Sequence, residues 1–171
     1  FAATIDKSLE NAIKIAKSKF DIPSDYIFDS NIGTDGAKKV FYLNWSSRDT
    51  VNGGNVSVTV NEDGVILNYY SYSPDDYSQK KKLPALSRQD AVKKAEEYIR
   101  NIDPNLPGEI KLLNEPQNYG LESSYYFVYY REVNGLPFYS NNVYVSINNQ
   151  TGKLLSFSRN WTFGLKFPTP E

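Results

Sequence analysis

The chain has 171 residues, of which 40% are hydrophobic and 15% aromatic, so it can bury a core and is not a disordered polypeptide. Cys, His and Met are absent, which excludes disulfides, zinc–thiolate sites, thiol nucleophiles and Ser-His-Asp catalysis. The formal net charge of −1 provides no positive field for nucleic acid, and no apolar run approaches the ~18 residues of a membrane span. Because it begins with Phe1 rather than Met, we expect a piece of a longer protein.

The first predicted element is an amphipathic helix over 8–20, with Asp6 as its N-cap. Its apolar residues recur at helical spacing and share one face; they are Leu9, Ala12, Ile13, Ala16 and Phe20. The helix should end before Ile22 and Pro23, because the residue before a proline avoids the helical conformation.

Four strands are predicted after this helix. They lie near 26–32 and at Val40–Trp45, Asn55–Val60 and Val65–Tyr69. Alternating valines in the third strand give it one buried face. The tight turn before the fourth strand ends in Gly64, a residue suited to positive φ.

Residues 73–86, with two prolines and the run Lys80–Lys82, are predicted to be a linker. A second helix over 87–99 follows, and Ser87 with Asp90 has the form of a capping box. Further strands are predicted near 109–113 and at Tyr125–Tyr130, Asn142–Ile147 and Lys153–Phe157.

The second half therefore repeats the order of elements of the first. Ala12, Ile13, Lys14 and Ala16 match Ala91, Val92, Lys93 and Ala95 at one constant offset. We interpret the chain as a tandem duplication with units at 1–72 and 87–171. Each unit would be near the lower size limit for an independent core, so we expect the two to share an interface.

Several segments resemble the YcdB/YcdC repeat, a relative of the PepSY domain. They are the Ser-x-x-Asp-Ala opening of the second helix, the strand that ends in Tyr130–Pro137, the Val143–Ile147 strand followed by Thr151 and Gly152, and the closing Trp161. The resemblance covers nearly the whole chain, although Arg48–Gly53 in the first half only partly follows the Arg-x-Val-Asn-Gly-x-Pro pattern. It implies an α+β fold of two tandem PepSY-like repeats, each with one helix packed on an antiparallel sheet of about four strands.

This family is similar to the propeptide modules of thermolysin-type proteases. It occurs in secreted or surface-attached proteins of Gram-positive bacteria, often beside S-layer homology domains. The resemblance implies an extracellular, non-catalytic binding module at the cell surface or cell wall. From composition, charge and spacing we expect no cofactor, no metal, no nucleic acid and no membrane contact by this chain. Its partner would be a protein, either a peptidase that it modulates or inhibits or another part of its own polypeptide, bound through a sheet edge or loop by backbone pairing.

Two other functions stay open at this stage. One is a structural spacer that holds surface-anchoring domains away from the wall, and the other is a peptide- or glycan-binding module. An enzyme is not expected, because adjacent carboxylates such as Glu62 and Asp63 do not by themselves form the facing pair that glycoside hydrolysis needs.

The aromatic strand of the second half provides the candidate binding residues. Alignment with Val40–Trp45 assigns Tyr126, Val128 and Tyr130 to the core. Tyr125, Phe127 and Tyr129 would then form a second apolar face. Either another part of the protein covers this face, or it is an open platform for a peptide or glycan.

Arg131 is the fourth candidate binding residue, because the resemblance makes it part of the family signature. Its guanidinium is suited to bracing the carbonyls of the following turn or to pairing with an acid. We favour this structural role over contact with a ligand.

Overall fold

The computed structural model describes residues 6–77, 83–114 and 123–168. The chain is an α+β protein with antiparallel strands and few helices, and it divides into two compact units at 1–75 and 76–171. The predicted linker contains the one-turn helix α2 (Pro74–Tyr77), and its lysine run Lys80–Lys82 lies outside the described residues.

The first unit contains one long helix and four strands. They are α1 (Lys7–Lys19), β1 (Ile27–Asp35), β2 (Lys38–Ser46), β3 (Asn55–Asn61) and β4 (Ile66–Tyr72). Sequential antiparallel pairing arranges these strands in the order β1-β2-β3-β4.

The second unit also begins with a helix. Its elements are α3 (Arg88–Ile102), a 3₁₀ turn at Leu106–Gly108, β5 (Ile110–Leu112), β6 (Ser124–Val133), β7 (Leu136–Asn148) and β8 (Leu154–Asn160). Its strands are again paired sequentially and antiparallel, in the order β5-β6-β7-β8. No helix in the described ranges is long and apolar enough to cross a membrane.

Both predicted helix caps are confirmed. The Asp6 carboxylate accepts a hydrogen bond from the Ser8 amide at 3.0 Å, and Ser87 Oγ accepts one from the Asp90 amide at 3.1 Å. Each cap satisfies an amide that the first helical turn leaves without a backbone partner. The Ser87 hydroxyl also donates to the Asp90 carboxylate and lowers the pKa of Asp90.

Each helix packs on one face of the strands of its own unit, here called the inner face. Alanines on the helices are fully buried there, at Ala12, Ala16, Ala91 and Ala95, because a small side chain lets a helix approach the strands closely. In the first unit the Phe20 ring stacks on Tyr69 with ring centroids 4.0 Å apart. The predicted alternation of β3 and β7 is confirmed, since Val56, Val58, Val60, Val143, Val145 and Ile147 are all buried.

Candidate functional site

The prediction of which side chains of the aromatic strand are buried was wrong by one residue. Phe127 is 1% exposed, and Tyr125 and Tyr129 are also buried, whereas Tyr126 is 53% exposed. Tyr126, Val128 and Tyr130 therefore point to the outer face, opposite the helix, and are not core residues.

The cross-strand register explains this correction. Phe41 pairs with Val60 on β3, and Tyr125 pairs with Ile147 on β7 at the matching position before the turn. The residue equivalent to Phe41 is thus Tyr125 and not Tyr126. Because side chains alternate along a strand, this shift of one residue exchanges the two faces.

Two of the predicted binding residues contact the start of α3. The Tyr125 hydroxyl donates to the Leu86 carbonyl at 3.0 Å. The guanidinium of Arg88 lies 5.3 Å from the centroid of the Phe127 ring, a cation–π distance. These contacts bury Tyr125 and Phe127 under their own helix, so they do not form an open platform for a ligand.

Tyr129 differs from its two neighbours. It lines a cavity of about 280 Å³ between α3, the 3₁₀ turn and β5. Its hydroxyl is buried and has no hydrogen-bond partner within the described part of the chain. Burial raises the pKa of Tyr129 far above its ordinary value, and the Glu96 carboxylate adds to this shift, so the phenol stays protonated and able to donate.

Arg131 has the structural environment that we favoured. Its guanidinium pairs with the Glu109 carboxylate at 3.0 Å and donates to the Asn141 side-chain oxygen at 3.1 Å. It also lies 4.6 Å from the ring centroid of Trp161 and 5.0 Å from that of Phe167. Of the two structural contacts left open by the sequence, pairing with an acid is the one observed, and the side chain also connects β6 to the segment after β8.

Arg159 makes a second contact of the same kind. Its guanidinium lies 4.5 Å from the Trp161 centroid and pairs with Asp103 at 2.8 Å. Trp161, singled out by the family resemblance, therefore contacts two guanidinium groups. This cluster holds the segment after β8 in place, although Arg159 Nε is buried without a hydrogen-bond partner among the described residues.

Two carboxylates from adjacent acidic pairs make structural contacts. Asp63 pairs with Lys38, and Asp76 accepts a hydrogen bond from Lys153 at 2.8 Å. Within 6–77, 83–114 and 123–168, no three acidic side chains are grouped so that they could hold a metal ion.

Strand β1 is an edge of the first unit's sheet. In the described part of the chain it pairs with β2 on one side only, and all nine of its residues are exposed or half-exposed. Ile27 and Ile32 are 49% and 45% exposed. A long edge strand with apolar side chains presents unpaired backbone groups to any extended segment that approaches it.

The hydrogen bonds of β2 reveal which β1 groups point away from the sheet. Lys39 and Ser47 bond towards β3, through Glu62 and Gly54 respectively. By strict alternation, the even-numbered residues of β2 bond β1, and their partners on β1 are odd-numbered. The even-numbered residues of β1 therefore direct their N–H and C=O groups outwards.

Ile32 agrees with this assignment. Its amide donates to the Asn31 side-chain oxygen at 2.9 Å, which a ladder amide would not do. The outward groups of Phe28 and Ser30 follow from the same alternation. Sequence reasoning missed this site because strand order, and hence which strand lies at an edge, is not encoded in local periodicity.

The outer face of the first unit bears a second surface feature. A shallow depression of about 280 Å³ is lined by one aromatic residue, two aliphatic residues (Leu43 and Val58) and several neutral polar ones, together with Asp29. Tyr42 is 47% exposed beside it, and Ser57 donates to the Asn44 side-chain oxygen at 2.8 Å. This combination of an aromatic ring with amides and hydroxyls is suited to a neutral, hydroxyl-rich ligand.

Comparison with known proteins gives one result. The model of the family described as "YcdB, YcdC repeated domain" matches residues 9–161, which include parts of both units. No curated protein and no solved structure shows significant similarity to the chain.

Proposed function

This chain belongs to the YcdB, YcdC repeated-domain family, and we propose that it is a non-catalytic binding module whose β1 edge docks an extended segment of a protein partner. The partner is a peptidase that the module modulates or inhibits, or another part of the same polypeptide. The observation that carries the proposal is the nine-residue edge strand β1, whose residues are all exposed or half-exposed.

Backbone pairing would provide the affinity. The outward N–H and C=O groups of Phe28 can form backbone hydrogen bonds with a strand added at the edge, and those of Ser30 can do the same. The side chains of Phe28 and Ile32 lie on the inner side of that edge and remain partly exposed, so they can contact alternate side chains of the added segment. The Ile32 amide already donates to the Asn31 side-chain oxygen, which limits backbone pairing at that position.

A proline at position 30 tests this mode of binding. Ser30→Pro removes an outward N–H without removing a ladder hydrogen bond to β2, and proline is tolerated at such edge positions. The matched control is Ser30→Ala, which changes the same side chain and keeps the amide. Circular dichroism and thermal melting establish that both variants fold.

The probe is a displayed library of short random peptides, selected on the immobilised full chain. We expect peptides selected on the wild type to bind Ser30→Ala equally and Ser30→Pro at least about tenfold more weakly, the equivalent of one hydrogen bond. Equal binding to Ser30→Pro would reject the edge as the docking site. Failure to select any peptide would favour the spacer function.

A purified thermolysin-type protease tests the peptidase partner separately. If it is a partner, it binds or is inhibited by the chain, and Ser30→Pro weakens this effect while Ser30→Ala does not. Peptide selection without any effect on the protease would leave the edge as a docking site and assign it to another partner.

We also propose that the two units are tandem copies of one PepSY-like repeat, each with a helix on a four-stranded sheet. The shared element order and the equivalent pairs Phe41 with Val60 and Tyr125 with Ile147 support this proposal. Superposition of the two units through these registers is the check. Equivalent β2 and β6 positions that fail to coincide would contradict a duplication.

An extracellular location, at the surface or wall of a Gram-positive cell, rests on the family resemblance. Its test is protease treatment of intact producing cells followed by antibody detection of the chain. Loss of the signal from intact cells is expected, and protection until lysis would reject a surface location.

A second candidate function is glycan binding by the outer face of the first unit. The Tyr42 ring with Asn44, Ser57 and Asp29 around the depression favours it. The test is retention of the full chain on insoluble cell-wall polysaccharide. Tyr42→Ala should abolish retention on the polysaccharide. Tyr26→Ala is the control, because Tyr26 lies away from the depression. Equal retention of the two variants would reject this site.

A further inference from the structure

The cavity beside Tyr129 has the size and lining of a small-molecule site. Its apolar walls are formed by Ile99 on α3, Pro107 on the 3₁₀ turn, and Ile110 and Leu112 on β5. Its volume of about 280 Å³ is several times the ~30 Å³ that one water occupies, and it approaches the lower end of known ligand pockets. The cavity therefore has room for a ligand of one ring or a short chain.

The Tyr129 hydroxyl is a polar group that the protein leaves without a partner. The residue is 3% exposed, and no hydrogen bond to this hydroxyl is made by any described residue. Buried polar atoms are nearly always paired, and exceptions cluster where a ligand completes the pairing. The hydroxyl has almost no accessible surface in the free protein, so a hydrogen-bonding atom in the cavity would pair with it once the neighbouring side chains shift.

Charged side chains also line the cavity. Arg100 and Lys111 are positive and Glu96 is negative, and all three are exposed. Lys111 has a further acidic neighbour, Glu132, whose carboxylate lies 3.9 Å away at the limit of an ion pair and is not part of the lining. Because Glu132 balances the second positive charge, the attraction for an anionic group at the opening comes from Arg100, an exposed guanidinium with no ion pair to a described residue.

From these features we propose that the cavity binds a small amphipathic carboxylate. Its ring or chain packs against Ile99, Ile110 and Leu112, its hydrogen-bonding group pairs with the Tyr129 hydroxyl, and its carboxylate lies near Arg100 and Lys111. This site belongs to the second unit and does not depend on the β1 edge, so either proposal can fail without the other.

Three related compounds test the proposal on the full chain, by NMR titration of the Ile99 and Ile110 methyl groups. The probe 3-(4-hydroxyphenyl)propionate has the hydroxyl, the ring and the carboxylate. The compound 3-phenylpropionate lacks the hydroxyl, and tyramine replaces the carboxylate with an ammonium group. We expect the full probe to bind about tenfold more tightly than either of the others, the equivalent of one hydrogen bond or charge contact.

Two variants assign these preferences to residues. Tyr129→Phe keeps the ring and should bind the probe and 3-phenylpropionate equally, with the affinity for 3-phenylpropionate unchanged. Arg100→Gln, at an exposed position, should reduce the preference for the carboxylate over tyramine and leave the preference for the hydroxyl intact.

Three results would overturn the proposal. One is the absence of shifts at these methyl groups up to about 10 mM of any compound, far above the affinity of a specific site. Another is equal binding of the three compounds by the wild type. The third is a preference for the hydroxyl that persists in Tyr129→Phe, which would place the hydrogen bond elsewhere.

Discussion

Replacement of Phe127 by alanine tests which face of the aromatic strand β6 is buried. The side chain is 1% exposed, pairs across the strand with Val145, and lies under the Arg88 guanidinium. Truncation of a buried phenylalanine costs about 3–5 kcal/mol, and loss of the cation–π contact adds roughly 0.5–1 kcal/mol. The total is a large share of the ~5–15 kcal/mol by which a small domain is stable.

The matched control is Tyr126→Ala on the same strand, since Tyr126 is exposed on the outer face. We expect Tyr126→Ala to lower the free energy of unfolding by about 1 kcal/mol or less, as substitutions at exposed positions generally do. Urea unfolding monitored by tryptophan fluorescence gives both values. With a slope near 2 kcal/mol/M, Phe127→Ala should lower the midpoint by roughly 2 M. An equal or larger loss in Tyr126→Ala would refute the register described above.

Three further substitutions test the Tyr129 hydroxyl and the contacts of Arg131. Tyr129→Phe should raise the stability of the free protein by about 1 kcal/mol, because it removes an unpaired buried hydroxyl; a loss of stability in thermal melts would mean that the hydroxyl has a partner. Because folding raises the pKa of Tyr129, only the unfolded chain releases this proton near pH ~10, so wild-type stability should fall above that pH more steeply than that of Tyr129→Phe. Arg131→Lys should lower the free energy of unfolding by about 1–3 kcal/mol, measured by urea unfolding. Glu109→Gln should lower it clearly less, because Arg131 then still stacks on the Trp161 ring. Equal losses in the two variants would mean that Arg131 contributes only through its ion pair.

Local signals were sufficient for most elements of the fold. Helical spacing of apolar residues and the caps at Asp6 and Ser87 predicted α1 and α3. The glycines before β4 and β8 have the expected positive φ, at 81° for Gly64 and 74° for Gly152. These features depend on residues close in the chain, which is why the sequence alone predicts them.

The facing of β6 could not be obtained in the same way. Tyr125–Tyr130 carries large apolar side chains on both faces, so alternation does not distinguish them. Pairing with β7 decides the register, and that pairing is a non-local property. Strand order, which makes β1 an edge, and the cavity at Tyr129 are likewise products of tertiary packing.

Hydrogen exchange of the β1 amides tests the central claim, that this edge docks an extended segment, most directly. In the free protein the amides of Phe28 and Ser30 should exchange rapidly, while those of Asp29 and Asn31 are protected by the β2 ladder. Addition of a peptide selected on the wild-type chain should protect Phe28 and Ser30. If these two amides stay unprotected in the complex, the peptide binds elsewhere and the claim is contradicted.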